Sequence, residues 1–174
     1  EIVKEYRLAL VGFGNVGQAL AKLLETKQDI LRAEHGFSTR IVGIATLHHG
    51  MAIDPAGIDV SAALHTAKTG DDLCQLSTRP HPGSIINFIE NVPADVLFEN
   101  SPVNHHTGQP AADHLRTALA RGMHGITANK GPVVHAYDTL TSLAREKGVR
   151  FLFESAVMDG APIFSLFRGP LPAV

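Results

Sequence analysis

This sequence has no tryptophan and a single cysteine, Cys74, in 174 residues. One thiol excludes an internal disulfide and suits a reducing compartment, the cytoplasm. Charge is sparse as well: 18% of residues are charged and the formal net charge is −2. That balance offers no electrostatic footprint for nucleic acid or an anionic membrane. No apolar run exceeds strand length, so no bilayer-spanning segment is expected. No secretory leader is expected either, because Glu1 to Arg7 is charged and leads straight into a strand-like run. The chain opens on Glu1 without an initiator methionine, as a trimmed chain would. Its 44% hydrophobic content still suffices for the core of one ordinary domain.

What is present begins at Leu8-Ala9-Leu10-Val11-Gly12-Phe13-Gly14-Asn15-Val16-Gly17. A buried-strand run feeds a G-x-G-x-x-G turn, and a helix opens behind it. Gly12 permits the tight turn, Gly14 lets backbone approach a pyrophosphate, and Gly17 lets the helix pack closely on the strand. Unpaired N–H groups and the positive dipole end at the helix start then attract phosphates. The plain alternative is a structural βα turn with no ligand.

The remaining chain alternates. A helix is expected from Asn15, with Val16, Leu20, Leu23 and Leu24 forming one stripe toward the sheet. Ile30 and Leu31 extend that stripe until Gly36. Ile41 to Ala45 reads as a second parallel strand, buried on both faces. The stretch from Leu47 to Pro82 is irregular, with one short helix near Ser61 to Lys68. Further helices are expected over Ser84 to Glu90, Pro110 to Ala120 and Tyr137 to Lys147. Strands are expected over Asp95 to Glu99, Met123 to Thr127 and Phe151 to Phe153. This alternation predicts an α/β fold, a doubly wound, mostly parallel Rossmann-like sheet. Its ligand edge gathers four loops, at residues 12–17, 100–104, 128–132 and 154–162.

An NAD-selective site of this kind normally carries an acid after the second strand, to bind the ribose 2′-OH. Here Ala45-Thr46-Leu47-His48-His49 has none, and Arg40, Thr46 or the histidines are candidates to meet a 2′-phosphate. The sequence leans to NADP or dual use and leaves NAD open. Taken alone, Lys130 reads as a solvated loop lysine, and Glu154 and Asp159 as turn caps. Ten histidines invite a metal site, but His48-His49 and His105-His106 are adjacent pairs whose side chains diverge, so surface positions are expected. Cys74 has no partner base in sequence.

Together these loops resemble the homoserine dehydrogenase family. The resemblance rests on Gly12 to Gly17, Glu99 to Asn104, Thr107 to Ala111, Thr127 to Pro132 and Phe153 to Pro162, in that order along nearly the whole chain. It implies a cofactor site built from Gly12, Phe13, Gly14, Asn15, Val16, Gly17, Asn100, Ser101, Pro102, Asn129 and Lys130. Ser101 would lie near the nicotinamide ribose, and Lys130 near the nicotinamide and the substrate. Glu154, with the backbone carbonyls of Val157, Asp159 and Ala161, matches positions that hold a monovalent cation, sodium, in the family. The implied reaction interconverts L-homoserine and L-aspartate 4-semialdehyde with NAD or NADP, on the route to threonine, methionine and isoleucine.

In the family the catalytic lysine, and the acids that bind homoserine, come from a second, dimer-forming domain. No lysine follows Lys147, so no catalytic residue is expected within these 174 residues. Residues 1–160 are expected to form the NAD(P)-binding domain. Residues 161–174 would begin the connection to the second domain, with an apolar surface near Phe164 to Leu171. A homodimer would then form only with that second domain. Two other readings stay open: a stand-alone dinucleotide-binding module, and a dehydrogenase of another amino-acid-derived alcohol.

Overall fold

Alternation on the first strand sets the architecture. On β1 (Lys4–Val11), Leu8 and Leu10 face one way and Ala9 and Val11 the other, and all four are buried. A strand buried on both faces must lie inside a sheet with helices above and below. The computed structural model, which describes residues 3–154, has that arrangement. The sheet order is β3-β2-β1-β4-β5-β6, formed by β2 (Phe37–Ala45), β3 (Met51–Ile53), β4 (Val96–Glu99), β5 (His124–Thr127) and β6 (Phe151–Leu152). All pairings are parallel except β2 with β3. The helices are α1 (Asn15–Thr26), α2 (Gln28–His35), α3 (Val60–Thr69), α4 (Ile85–Asn91), α5 (Ala111–Ala120) and α6 (Lys130–Lys147). No described helix is long and apolar enough to cross a membrane.

One face packs Leu8, Leu10, Ile41 and Ile44 with Ala21 and Ala63 from α1 and α3. The other packs Ala9, Val11, Val42 and Leu97 with Phe88 and Ile89 of α4 and Ala118 of α5. A third cluster, Leu115, Leu119, Leu140, Ala144, Phe151 and Phe153, seats α5 and α6 on the β6 side. Strand order reverses between β1 and β4, because β2 lies on one side of β1 and β4 on the other. That reversal opens a crevice at the carboxyl ends of β1 and β4.

Several expectations need correction. The α1 stripe is rotated: Val16 and Leu23 are 59% and 54% exposed, while Gly17 and Ala21 are buried and Leu20 and Leu24 partly so. Gly17 fixes the rotation, because a Cβ there would stand 2.6 Å from the carbonyl oxygen of Gly12. Small residues at 17 and 21 bring the helix close, and the larger Val16 is turned outward. The helix does not run on to Gly36 either; it breaks at Lys27 (φ −100°, ψ 8°), and Gln28 turns inward to hydrogen-bond Thr39. Within residues 47–82, β3 and a 3₁₀ turn at Leu73–Leu76 went unpredicted, both too short for periodicity to reveal. Residues 130–132 are not loop but the first turn of α6. Pro132 is tolerated there because early helical N–H groups have no intrahelical partner. A kink at Ala136 (φ −138°) separates this start from Tyr137 to Lys147, the part expected to be helical. The segments assigned to 155–160, 161–174 and Phe164 to Leu171 lie outside the described residues.

Candidate functional site

Three strand exits are tied together at the reversal point. The N–H of Gly12 donates to the Ala45 carbonyl at 2.8 Å, and that of Asn100 to the Val11 carbonyl at 2.7 Å. The turn after β1 is therefore held between the ends of β2 and β4. Gly12 adopts φ +91°, and a Cβ on it would meet the Asn100 carbonyl oxygen at 2.5 Å. Gly14 differs: a Cβ there would meet nothing within 4 Å. Gly12 and Gly17 thus hold the turn together, while Gly14 leaves space above it.

The α1 N-terminus points into that space. Its N-cap is Gly14, which offers no side-chain acceptor, and no acid sits in the first turn. Asn15 is the first helical residue and does not cap. Among the other helices, α3, α4 and α6 are capped by Asp59, Ser84 and Asn129, while α2 and α5 also start without a side-chain cap. Uncapped first-turn N–H groups beside open space are what a phosphate-binding helix start requires. Phe13 is buried in the core, and its carbonyl accepts from the Gln18 side-chain amide at 2.9 Å.

Beside this turn lies an open groove of about 360 Å³, lined by Val16, Asn100, Ser101, Val103, His105, Ala128, Asn129 and Lys130. Five of the predicted site residues, from loops far apart in sequence, thus line one groove; Pro102 lies exposed in the loop between its lining residues. The Asn100 side-chain nitrogen is shielded from solvent yet makes no hydrogen bond among the described residues, a donor without its acceptor. Lys130 is exposed at the first position of α6 and forms no ion pair among the described residues. A cation there opposes the helix dipole, so helix stability does not account for it. His105 and His106 are exposed, and the His105 carbonyl contacts His135 Nε2 at 2.8 Å.

Sequence reasoning assigned no role to the residues beneath the groove. Glu99, at the end of β4, is fully buried, as are Thr127 and His114 nearly so. Glu99 Oε1 accepts from the Ser101 N–H at 3.1 Å and from the Ser101 hydroxyl. Thr127 Oγ lies 3.0 Å from the Glu99 carbonyl oxygen and 3.3 Å from Oε2. His114 Nδ1 stands 3.5 Å from Oε1, within ion-pair reach but without a hydrogen bond. An acid closing an apolar strand, and a histidine on the apolar face of α5, were the available signals.

At the β2 exit, two candidates for a 2′-phosphate are otherwise engaged. Arg40 pairs with Glu5 at 2.9 Å and lies five residues before the strand end, about 16 Å away. Thr46 Oγ donates to the Gly50 carbonyl and accepts from the His49 N–H, holding the turn. His48 and His49 remain exposed. Asp72 reaches this turn from the 3₁₀ segment, packed against Gly50. The backbone and thiol of Cys74 hold its carboxyl below the usual range. Burial pushes the Cys74 thiol up. Of the predicted cation ligands only Glu154, half-buried just past β6, is described; Val157, Asp159 and Ala161 lie outside the described residues.

Comparisons with known proteins agree with this geometry. A family model described as homoserine dehydrogenase, NAD binding domain, matches residues 12–154. The NAD(+)-dependent homoserine dehydrogenase of Pseudomonas canavaninivorans is 35% identical over 172 residues, covering 96% of this chain and 47% of that protein. The homoserine dehydrogenase of Methanocaldococcus jannaschii is 36% identical over 168 residues, covering 94% of this chain and 48% of its own length. Among solved structures, a hyperthermophilic archaeal homoserine dehydrogenase in complex with NADPH superposes with a TM-score of 0.77 at 26% identity. That match covers 94% of this chain and 48% of the other. The chain spans about half the length of the curated relatives it matches.

Proposed function

Because this chain belongs to the family of homoserine dehydrogenase NAD-binding domains, we propose that its groove seats a nicotinamide dinucleotide for homoserine oxidation by the whole protein. The observation that carries this reading is the uncapped α1 start beside Gly14, facing the groove that holds Asn100, Ser101 and Lys130. When bound, the nicotinamide supplies the hydride acceptor for oxidation of L-homoserine to L-aspartate 4-semialdehyde. The first-turn N–H groups of α1 hold the pyrophosphate, above the space that Gly14 leaves open. Val16 and Val103 give the groove an apolar wall, and Phe13 contributes through its backbone. Asn100 supplies its unpaired amide donor, and Pro102 stiffens the loop. Asn129 and Gly17 fix backbone, and Lys130 places positive charge at the groove's far side.

The proton leaving the substrate hydroxyl needs a general base. Outside His105 and Lys130, no titratable side chain among the described residues lines this groove. That group is assigned to the other half of the whole protein, which also supplies the dimer contacts. A sodium ion at Glu154, Val157, Asp159 and Ala161, a cofactor domain over residues 1–160 and a cytoplasmic setting complete the reading. With Arg40 and Thr46 engaged and Asp72 near the β2 exit, the site discriminates weakly between the cofactors.

Assay of the whole protein with L-homoserine tests this. The reading expects nicotinamide reduction with both NAD and NADP, their kcat/KM values within about tenfold, a gap of about 1.4 kcal/mol. The isolated chain is expected to bind dinucleotide with negligible turnover. Robust oxidation by the isolated chain, or none by the whole protein, would overturn it.

A further inference from the structure

A second open cavity, of about 480 Å³, lies beside the edge strand β3, and its described lining residues all differ from those of the groove. Its walls are stiff. Pro55, Pro80, Pro82 and Pro93 line it, and each proline ring fixes its own φ. The segment that carries two of them is pinned from both sides. Ser77 Oγ accepts the N–H of Ile53 at 3.0 Å and that of Arg79 at 3.3 Å, and the Thr78 N–H donates to the Ile53 carbonyl at 3.0 Å. From α4, Asn87 Nδ2 donates to the Pro82 carbonyl at 3.0 Å. The cavity is thus formed before any ligand arrives, which lowers the ordering cost of binding.

Ile53 and the prolines make the lining apolar, and its polar side chains are Arg79, His81 and Asn91. Asn91 donates to the Asn87 carbonyl at 2.7 Å. The Gly83 N–H donates to His81 Nδ1 at 3.0 Å, so that ring presents its own N–H at Nε2. The Arg79 guanidinium has neither an ion pair nor a hydrogen bond among the described residues. No carboxylate among the described residues lines the cavity. Asp72 is near His81, but it accepts the Cys74 N–H at 2.8 Å and stands outside the lining. We propose that this cavity binds a small free carboxylate with a short, branched apolar body. The Arg79 fork pairs with the carboxylate, His81 Nε2 adds a donor, and Ile53 and the prolines cover the body. A zwitterionic amino acid does not fit, because its ammonium finds no carboxylate on these walls. The cavity is therefore not a second site for L-homoserine, and the assignment does not rest on the dinucleotide reading.

The test is calorimetric titration of the whole protein with isovalerate, isovaleramide and L-valine. Isovalerate is expected to saturate one site per chain with a Kd of about 1 mM or tighter. Isovaleramide, which lacks the charge, and L-valine, which adds an ammonium, bind at least about tenfold more weakly. Arg79→Gln weakens isovalerate by at least about tenfold and leaves NADH affinity unchanged. Arg79 is exposed and its side chain makes no bond among the described residues, so this variant is expected to melt like the unmodified protein. Isovalerate still binds when NADH is saturating, because the two sites are lined by different residues. Absence of saturable isovalerate binding overturns the proposal, as does equal binding of the three probes. Isovalerate binding that survives Arg79→Gln, or that NADH or L-homoserine displaces, overturns it too, since the ligand then lies elsewhere.

Discussion

Three glycines in six residues serve two purposes, and substitution separates them. A methyl at Gly17 would sit 2.6 Å from a backbone oxygen that cannot move aside. Gly17→Ala is therefore expected to cost about 1–3 kcal/mol of stability, read as a lowered Tm. Gly14→Ala meets no atom within 4 Å and keeps an ordinary φ of −80°. Its melting should stay within about 0.5 kcal/mol of the unmodified chain, while NADH affinity falls at least about tenfold because the methyl occupies the phosphate approach. If the two variants changed places in these assays, the division of roles would be wrong. The glycine turn was legible in sequence because Gly12 and Gly17 sit where backbone approaches too closely for any side chain. Glu99 was not, since its burial and its partners Thr127 and His114 depend on β5 and α5, segments distant from it in sequence.

At the scale of elements, the informative helices are α1 and α6. The start of α1 was legible, but its rotation was not, because hydrophobicity ranks Val16 above Gly17 and close packing reverses that order. The first turn of α6 was hidden by glycine and proline, residues that a helix start accepts and a helix interior does not. Lys130 opens that turn against the dipole, which frames a test. Lys130→Met should leave stability unchanged or raise it by about 0.3–1 kcal/mol in thermal melts. The same change should lower kcat/KM for homoserine in the whole protein by at least about tenfold. A loss of stability with unchanged kcat/KM would assign Lys130 to the fold instead.

Across the whole molecule, the two ends of the sheet do different work. At the carboxyl end the chain leaves donors unpaired among the described residues: the α1 start, the Asn100 amide and the Lys130 ammonium. The opposite end carries a satisfied ion pair. Arg7 clamps Asp95 through its backbone N–H and guanidinium, at 2.8, 3.1 and 2.7 Å, tying β1 to the start of β4. The Arg7 guanidinium is the main cause holding the Asp95 carboxyl below its ordinary value of 3.8. A carboxyl depressed on folding adds stability above its unfolded pKa, and that stability is lost as pH falls through the folded value. Asp95→Asn should thus melt lower than the unmodified chain at pH 7. The gap should close from about pH 4 downward. A gap independent of pH would exclude the ion pair as its cause. The alternation that fixed the parallel sheet was legible from β1 onward, whereas the edge strand β3 depends on a three-residue pairing with β2 that local sequence does not encode.

The central claim is that the carboxyl edge of this sheet is a dinucleotide site, and fluorescence titration of the folded chain with NADH addresses it most directly. The account predicts saturable binding of one NADH per chain, with affinity reduced at least about tenfold by Gly14→Ala. A chain that melts cooperatively yet shows no saturable NADH binding would contradict it.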